Sequence, residues 1–302
     1  MGWNMKTRSL EHKTARAGIG MILPAMIILA VFMFYPIAQS FWMSLHNWDP
    51  IRNYKSFAGV SNYVKAFGDE RFLGAMRNTL VYTISYVPIL LVGSLLAAVF
   101  INYAFFASGF FKSILFLPAI TSMAIISIVF RYMLGGDIGF LSIWLRSIGI
   151  PMQDFLRNPN TAMTAVVFVG VWRWLGFNMV IFLAGLNAIP ESLYEAAEID
   201  GAGRTRQFFF VSLPLLMPTM GFVLVTNLIS SFQVFDQIYV MTKGGPMFST
   251  EVLVYYIFYR GFSVFDMGYA SSLAFILFIV ILVVTLFNIR KFGKSEHSGG
   301  LA

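Results

Sequence analysis

The side chains able to do chemistry are crowded into one short stretch. Glu195, Glu198, Asp200, Arg204 and Arg206 fall within twelve positions of a chain that is only 12% charged. A carboxylate beside paired small residues, as in Glu195-Ala196-Ala197, allows a partner's backbone to approach closely and its arginine to form a charge-assisted bond. That is docking chemistry, not bond-making. Cysteine is absent, which removes disulfides and thiolate-held metals, and the three histidines (His12, His46, His297) are far apart in the sequence. Gly293-Lys294-Ser295 resembles the tail of a phosphate-binding loop. Asn288 stands where that loop's first glycine belongs, however, and no strand precedes it. The expectation is a chain that is not an enzyme and binds no cofactor or metal itself.

The elements that must position this stretch are apolar. The 302 residues are 58% hydrophobic, with a mean hydropathy of +0.74, whereas soluble domains carry about a quarter charged residues. A bilayer core needs roughly 20 apolar residues per helix. Six windows satisfy this, near 18–40, 78–104, 113–135, 162–187, 215–240 and 268–289. Runs such as AMIILAVFMF do not alternate as barrel strands do. The fold class expected is all-α, a polytopic helical membrane protein with six transmembrane helices. The first apolar run exceeds the 7–15 residues of a signal-peptide core and reads as an uncleaved span.

The net charge of +7 reads as membrane topology, with no call for nucleic acid. Lys6, Arg8, Lys13 and Arg16 precede the spans, and Arg290, Lys291 and Lys294 follow them. Six spans then leave both termini cytoplasmic. The expected divisions are a basic tail over 1–17, a membrane domain over 18–290 containing a cytoplasmic loop at 188–214, and a tail over 291–302. The outer loop 41–77 carries Phe57, Tyr63, Phe67 and Phe72, which suggest a structured cap on the membrane surface. A Gly-Gly-Pro turn at 244–246 breaks the chain after the fifth span.

Within the loop, Pro190 suits a first helical turn and Glu191 the positive end of the helix dipole. Gly201 and Gly203 end this short helix, Thr205 caps the next, and Pro214 and Pro218 bend that helix where it enters the bilayer. Two readings fit the pattern: an amphipathic helix lying on lipid, or a docking helix for a cytosolic protein. Lipid-surface helices carry Lys and Arg on the polar face. Glu and Asp here tilt the balance toward a protein.

The spacing Glu195-Ala196-Ala197, Gly201, Val211, Leu213, Pro214 resembles the signature loop of permease subunits of binding-protein-dependent ABC importers. The stretches NYVKAFGDERFLGAMRNTLVYT, VWRWLGFNMVIFLAGLNAIPESLYEAAEIDGAG and GGPMFSTEVLVYYIFYRGF are similar to the sugar-type, maltose-transporter-like members, over roughly residues 15–290. The resemblance implies the type I importer permease fold in the prokaryotic inner membrane. It implies a second, related permease as partner, two ABC ATPase subunits that use ATP and Mg, and an external solute-binding protein. By motif, Glu195, Ala196, Ala197, Asp200 and Gly201 carry the ATPase contact.

A solute path needs polar groups at membrane depth. Candidates are Asn227, Ser230 and Ser231 in span five, Trp172, Trp174, Gly176 and Asn178 in span four, and Ser127 in span three. The alternative for each Asn and Ser is a helix–helix hydrogen bond. Arg173 could receive an anionic solute such as glycerol phosphate, or pair with Asp236. Arg131 is expected to snorkel at the outer end of span three. An ion-coupled secondary transporter is a different class, but such proteins carry repeats and intramembrane carboxylates. Here only Asp236 is an acid within the spans, and neither that class nor an intramembrane enzyme accounts for the Glu-Ala-Ala loop.

Overall fold

The computed structural model describes residues 18–103, 108–136, 139–148 and 154–292. The tails holding Lys6, Arg8, His12, Lys13, Arg16, Gly293, Lys294, Ser295 and His297 lie outside the described residues. Four helices are each long and apolar enough to cross a bilayer: α1 (Gly18–Ser44), α3 (Glu70–Tyr103), α7 (Pro159–Asn187) and α12 (Met267–Phe292). Two bent pairs bring the number to six when each is taken as one span. Helices α4 (Ser108–Ile120) and α5 (Met123–Leu134) meet at 98°, and α9 (Arg204–Leu215) and α10 (Met217–Phe232) at 63°. Shorter helices are α2 (Ser61–Phe67), α6 (Phe140–Ser147), α8 (Glu191–Ile199) and α11 (Leu253–Phe258).

Both bends follow from proline and from local capping. Pro118 lies in the last turn of α4, where it supplies no N–H and crowds the preceding turn. Ser122, with ψ of 135°, then leaves the helical region and starts α5. Pro218 sits in the first turn of α10, so it withholds the N–H that would have continued the ladder from α9. Span two begins at Glu70, eight residues before the apolar window, because Asp69 Oδ1 accepts from the N–H groups of Arg71 and Phe72 at 3.0 and 3.3 Å. The helix therefore starts at a capping carboxylate outside the apolar run. Asn158 caps α7 in the same way, through Asn160 N–H at 3.0 Å, with Pro159 as the first helical residue.

Contacts divide the chain into two compact units. The larger, Ala66–Tyr259 with Ile276–Ala302, has its core where α3, α7 and α10 pack. Tyr82, Tyr86, Val87 and Leu90 meet Val166, Val167 and Val171 in one cluster, and Leu95 and Ala98 meet Met179, Phe182, Leu183 and Val223 in a second. Small residues permit close approach, as membrane helix pairs require. A Cβ on Gly176 would overlap the carbonyl oxygen of Leu115 on α4. Beyond the apolar windows, Arg71 in the first turn of α3 forks onto Glu251, Nε to Oε2 at 2.7 Å and Nη2 to Oε1 at 2.8 Å. Its guanidinium lies over the rings of Phe248 and Tyr259.

The smaller unit, Met1–Lys65 with Arg260–Phe275, holds α1 and an antiparallel hairpin, β1 (His46–Asp49) with β2 (Tyr54–Phe57). The hairpin folds back on the end of α1: Ala58 and Gly59 N–H both donate to Leu45 O, at 2.8 and 3.0 Å. Asn62 Nδ2 donates to Ser44 O and His46 O. Of the four aromatics expected to cap the surface, Phe57 and Phe67 are exposed. Tyr63 instead shares a hydrogen bond with Ser44 Oγ at 2.6 Å, and Phe72 is buried.

Candidate coupling helix and polar cavity

Helix α8 stands between two apolar spans as a short, solvent-facing segment. Pro190 occupies its N-cap, one position ahead of the first turn, and Glu191 starts the helix. Its C-terminus closes through two reciprocal bonds, Gly201 N–H to Glu198 O at 2.9 Å and Ala202 N–H to Ala197 O at 2.8 Å. This is the Schellman arrangement, and it requires Gly201 at φ +75°, where a Cβ is penalised. The next helix is capped by Gly203, and Thr205 lies inside its first turn. Glycine's extended φ of −68° and ψ of 167° let it take the capping position that Thr205 was expected to hold.

Every residue that the motif led us to expect at an ATPase contact lies on or just after this helix. Glu195, Ala196, Asp200 and Gly201 are exposed and Ala197 is half-buried. Ile199 is 87% exposed. Tyr194, which the motif does not include, anchors the helix: its hydroxyl shares a hydrogen bond with Ser212 Oγ at 2.9 Å, and Gln207 Nε2 reaches its carbonyl at 3.5 Å. These two bonds tie α8 to α9.

Inside the bundle, a cavity of about 460 Å³ is lined by Tyr82, Tyr86, Arg173, Trp174, Ser230, Gln233, Asp236 and Gln237, among others. Of the solute-path candidates, Ser230 and Trp174 line it. The others lie elsewhere. Asn227 donates to Asn178 Oδ1 at 2.8 Å and to Val223 O at 2.7 Å, while Asn178 Nδ2 donates to Trp174 O at 2.9 Å. Ser231 Oγ donates to Leu228 O at 2.8 Å. Trp172 packs edge-on against Phe130, with ring centroids 5.2 Å apart, and Gly176 admits α4. Ser127 is fully buried, and its hydroxyl has no hydrogen-bond partner among the described residues.

Arg173 turns its fork onto the broken span: Nε and Nη2 both donate to Thr121 O, at 3.2 and 3.0 Å, and the guanidinium lies 4.2 Å from the Trp174 ring centroid. It thereby satisfies a carbonyl that the 98° break leaves without a helical donor. Asp236 lines the same cavity without displacing that bond. Arg131 is exposed and reaches Val240 O from Nη1 at 3.4 Å. Tyr82, Tyr86, Gln233 and Gln237 were missed from sequence. Their signal was present as polar groups at i, i+4 in span two and at 233, 236 and 237 in span five. Gln237 Nε2 donates to the Tyr82 hydroxyl at 2.6 Å, across a site where a Cβ on Gly170 would come within 2.7 Å of that hydroxyl.

Apolar spans, a polar cavity lined by spans two to five and a short exposed helix between spans four and five are the features of a membrane transport subunit. The family described as the inner membrane component of binding-protein-dependent transport systems matches residues 63–291, and the chain belongs to that family. It is an ABC-importer permease subunit of the inner membrane, a transport component and not an enzyme. The arabinooligosaccharides transport system permease protein AraP of Bacillus subtilis (strain 168) is 35% identical over 301 residues, covering 99% of this chain and 94% of its own length. The sn-glycerol-3-phosphate transport system permease protein UgpA of Yersinia pestis is 33% identical, covering 89% and 92%. A bacterial ABC transporter that imports the acidic polysaccharide alginate contains a chain of the same fold. Its TM-score is 0.85 at 24% identity, covering 95% of this chain and 99% of that one.

Proposed function

We propose that this chain forms half of a translocation pathway for a neutral sugar or oligosaccharide, driven by cytosolic ATPases that grip α8. The observation that carries the reading is the exposed helix Glu191–Ile199, closed by a left-handed glycine and tied by Tyr194 to the span that follows. An external binding protein delivers the solute and a second, related permease supplies the other half of the path. Two ABC ATPases burn ATP with Mg; this chain binds neither. Glu195 pairs with an ATPase arginine, Ala196 and Ala197 allow close approach, and both termini are cytoplasmic. The sugar reading draws on the arabinooligosaccharide relative and on the cavity, where amide, hydroxyl and indole groups suit hydroxylated rings.

Glycerol phosphate is the competing cargo, favoured by the UgpA relatives and by Arg173. Two features weigh against it: the Arg173 fork is directed at Thr121 O, and the carboxylate of Asp236 lines the same cavity. The natural chain lacks cysteine, so a single Ala196→Cys can be crosslinked to cysteines in the ATPase cleft of the assembled transporter. Crosslinking that changes on nucleotide binding is the expected result. Labelling of that cysteine by an impermeant reagent from outside intact cells would overturn the proposal.

A further inference from the structure

Among the described residues, one acid lines the polar cavity, and its side chain is uncommitted. We propose that Asp236 is the specificity-determining residue of this cavity: its carboxylate accepts the hydroxyls of a neutral sugar and turns away anionic solutes. The proposal rests on the transport reading above and adds to it the sign of charge that the pathway rejects.

Two neighbouring residues of span five are put to opposite uses. Helix α10 ends at Phe232, and residues 233–235 leave the helical ladder before it resumes at Asp236. Non-helical backbone at membrane depth is tolerated where it is buried in protein or lines a water-filled cavity. Gln233, Val234 and Phe235 all line this one. Where the helix resumes, Gln237 is buried, and its Nε2 donates to the Tyr82 hydroxyl at 2.6 Å. Asp236 is exposed and lines the cavity, and its side chain makes no hydrogen bond or ion pair among the described residues. Ionisable side chains within spans normally pair with one another or with backbone carbonyls, and they mark solute and ion paths. Here the lone pairs of the carboxylate are left for a solute.

Arg173 does not cancel this charge by contact. Its Nε and Nη2 both donate to Thr121 O, and its guanidinium lies 4.2 Å from the Trp174 ring centroid, so only Nη1 stays outside these bonds. A carboxylate only accepts hydrogen bonds, through two oxygens. Sugar hydroxyls supply donors to it, whereas a phosphate or a second carboxylate brings like charge and no donor. At about 460 Å³ the cavity is toward the smaller end of ligand sites, so a sugar ring inside it lies close to every wall. In the orientation proposed above, span five rises outward from 215 to 240, and Arg173 sits near the middle of span four. An incoming solute therefore meets Asp236 before Arg173.

The test uses the assembled importer in lipid nanodiscs, where reagents reach both sides, with no solute or binding protein present. This chain has no cysteine of its own, and the other subunits are made cysteine-free. Ser230→Cys places a thiol on the cavity wall. The readout is its rate of reaction with a cationic and with an anionic thiosulfonate of similar size, each divided by the rate with a free thiol in solution. On this scale the cationic reagent is expected to react severalfold faster, and its advantage to shrink at high salt. Asp236→Asn is expected to remove the advantage, and Asp236→Glu, which keeps the charge, to retain it. Gln233→Cys is the second reporter should Ser230→Cys impair assembly. A ratio that Asp236→Asn leaves unchanged overturns the proposal, because Arg173 or the partner permease then already neutralises the carboxylate. So does an advantage for the anionic reagent, or a thiol that neither reagent reaches with or without nucleotide. No cargo enters the measurement, so its failure is separate from failure of the sugar reading, which uptake of a neutral oligosaccharide decides.

Discussion

Asn227 and Asn178 face each other across α10 and α7, joined at 2.8 Å with both side chains buried. Interhelical hydrogen bonds in membranes average about 0.6 kcal/mol. Asn227→Ala and Asn178→Ala are each expected to lower the thermal midpoint of the purified complex slightly, and the double variant to fall no further than the worse single one. A double-mutant cycle measures this, and fully additive losses would show that the two side chains do not interact.

Gly201 tests the left-handed turn that closes α8. Its φ of +75° costs an L-residue roughly 1–2 kcal/mol, and no atom lies within 4 Å of where a Cβ would stand. The penalty is therefore in the backbone alone. Gly201→Val is expected to leave the protein in the membrane while ATPase stimulation by loaded binding protein is lost, and Gly201→Asn to retain most of it. Equal behaviour of the two variants would remove the left-handed turn from the explanation.

Gly176 and Gly93 make a matched pair. A Cβ at Gly176 meets the Leu115 carbonyl backbone, which cannot yield, whereas at Gly93 it meets only Leu175 Cδ1 at 3.5 Å, an ordinary contact. Gly176→Ala is expected to reduce the yield of monodisperse complex sharply, and Gly93→Ala to leave it unchanged. Size-exclusion profiles in detergent decide.

Arg173 acts as a latch on the broken third span. Spin labels at Phe110 and Tyr132, on α4 and α5, report the bend. Arg173→Ala is expected to broaden their distance distribution, and Arg173→Gln, which keeps a donor for Thr121 O, to restore part of it. An unchanged distribution in Arg173→Ala refutes the latch.

Glu251 is 1% exposed and bonded twice to Arg71. Removing one partner of such a pair costs about 3–5 kcal/mol, because the other charge is left unpaired, while replacing both with apolar residues recovers much of the loss. Glu251→Ala should therefore melt well below the native protein, and Arg71→Met with Glu251→Leu should melt above Glu251→Ala. Thermal unfolding of the purified complex ranks the three.

By itself the sequence determined the class. Lipid cannot satisfy a backbone, so long apolar runs must become helices, and six such runs were countable. The local form of the loop at 188–214 was equally legible, because its glycines act through their immediate neighbours: α8 ends through Gly201 N–H to Glu198 O and Ala202 N–H to Ala197 O, three and five residues back. What only the tertiary structure decided was which polar groups face a cavity and which face another helix. Asn227 and Ser230 are three residues apart, yet one is spent on Asn178 and the other lines the cavity with Gln233 and Arg173. The bond from Arg173 to Thr121 O spans 52 positions and exists because Pro118 breaks a helix that Gly176 allows to lie close. In a helix bundle, side-chain partners are set by rotation and approach of whole spans, and those come from packing that no local pattern records.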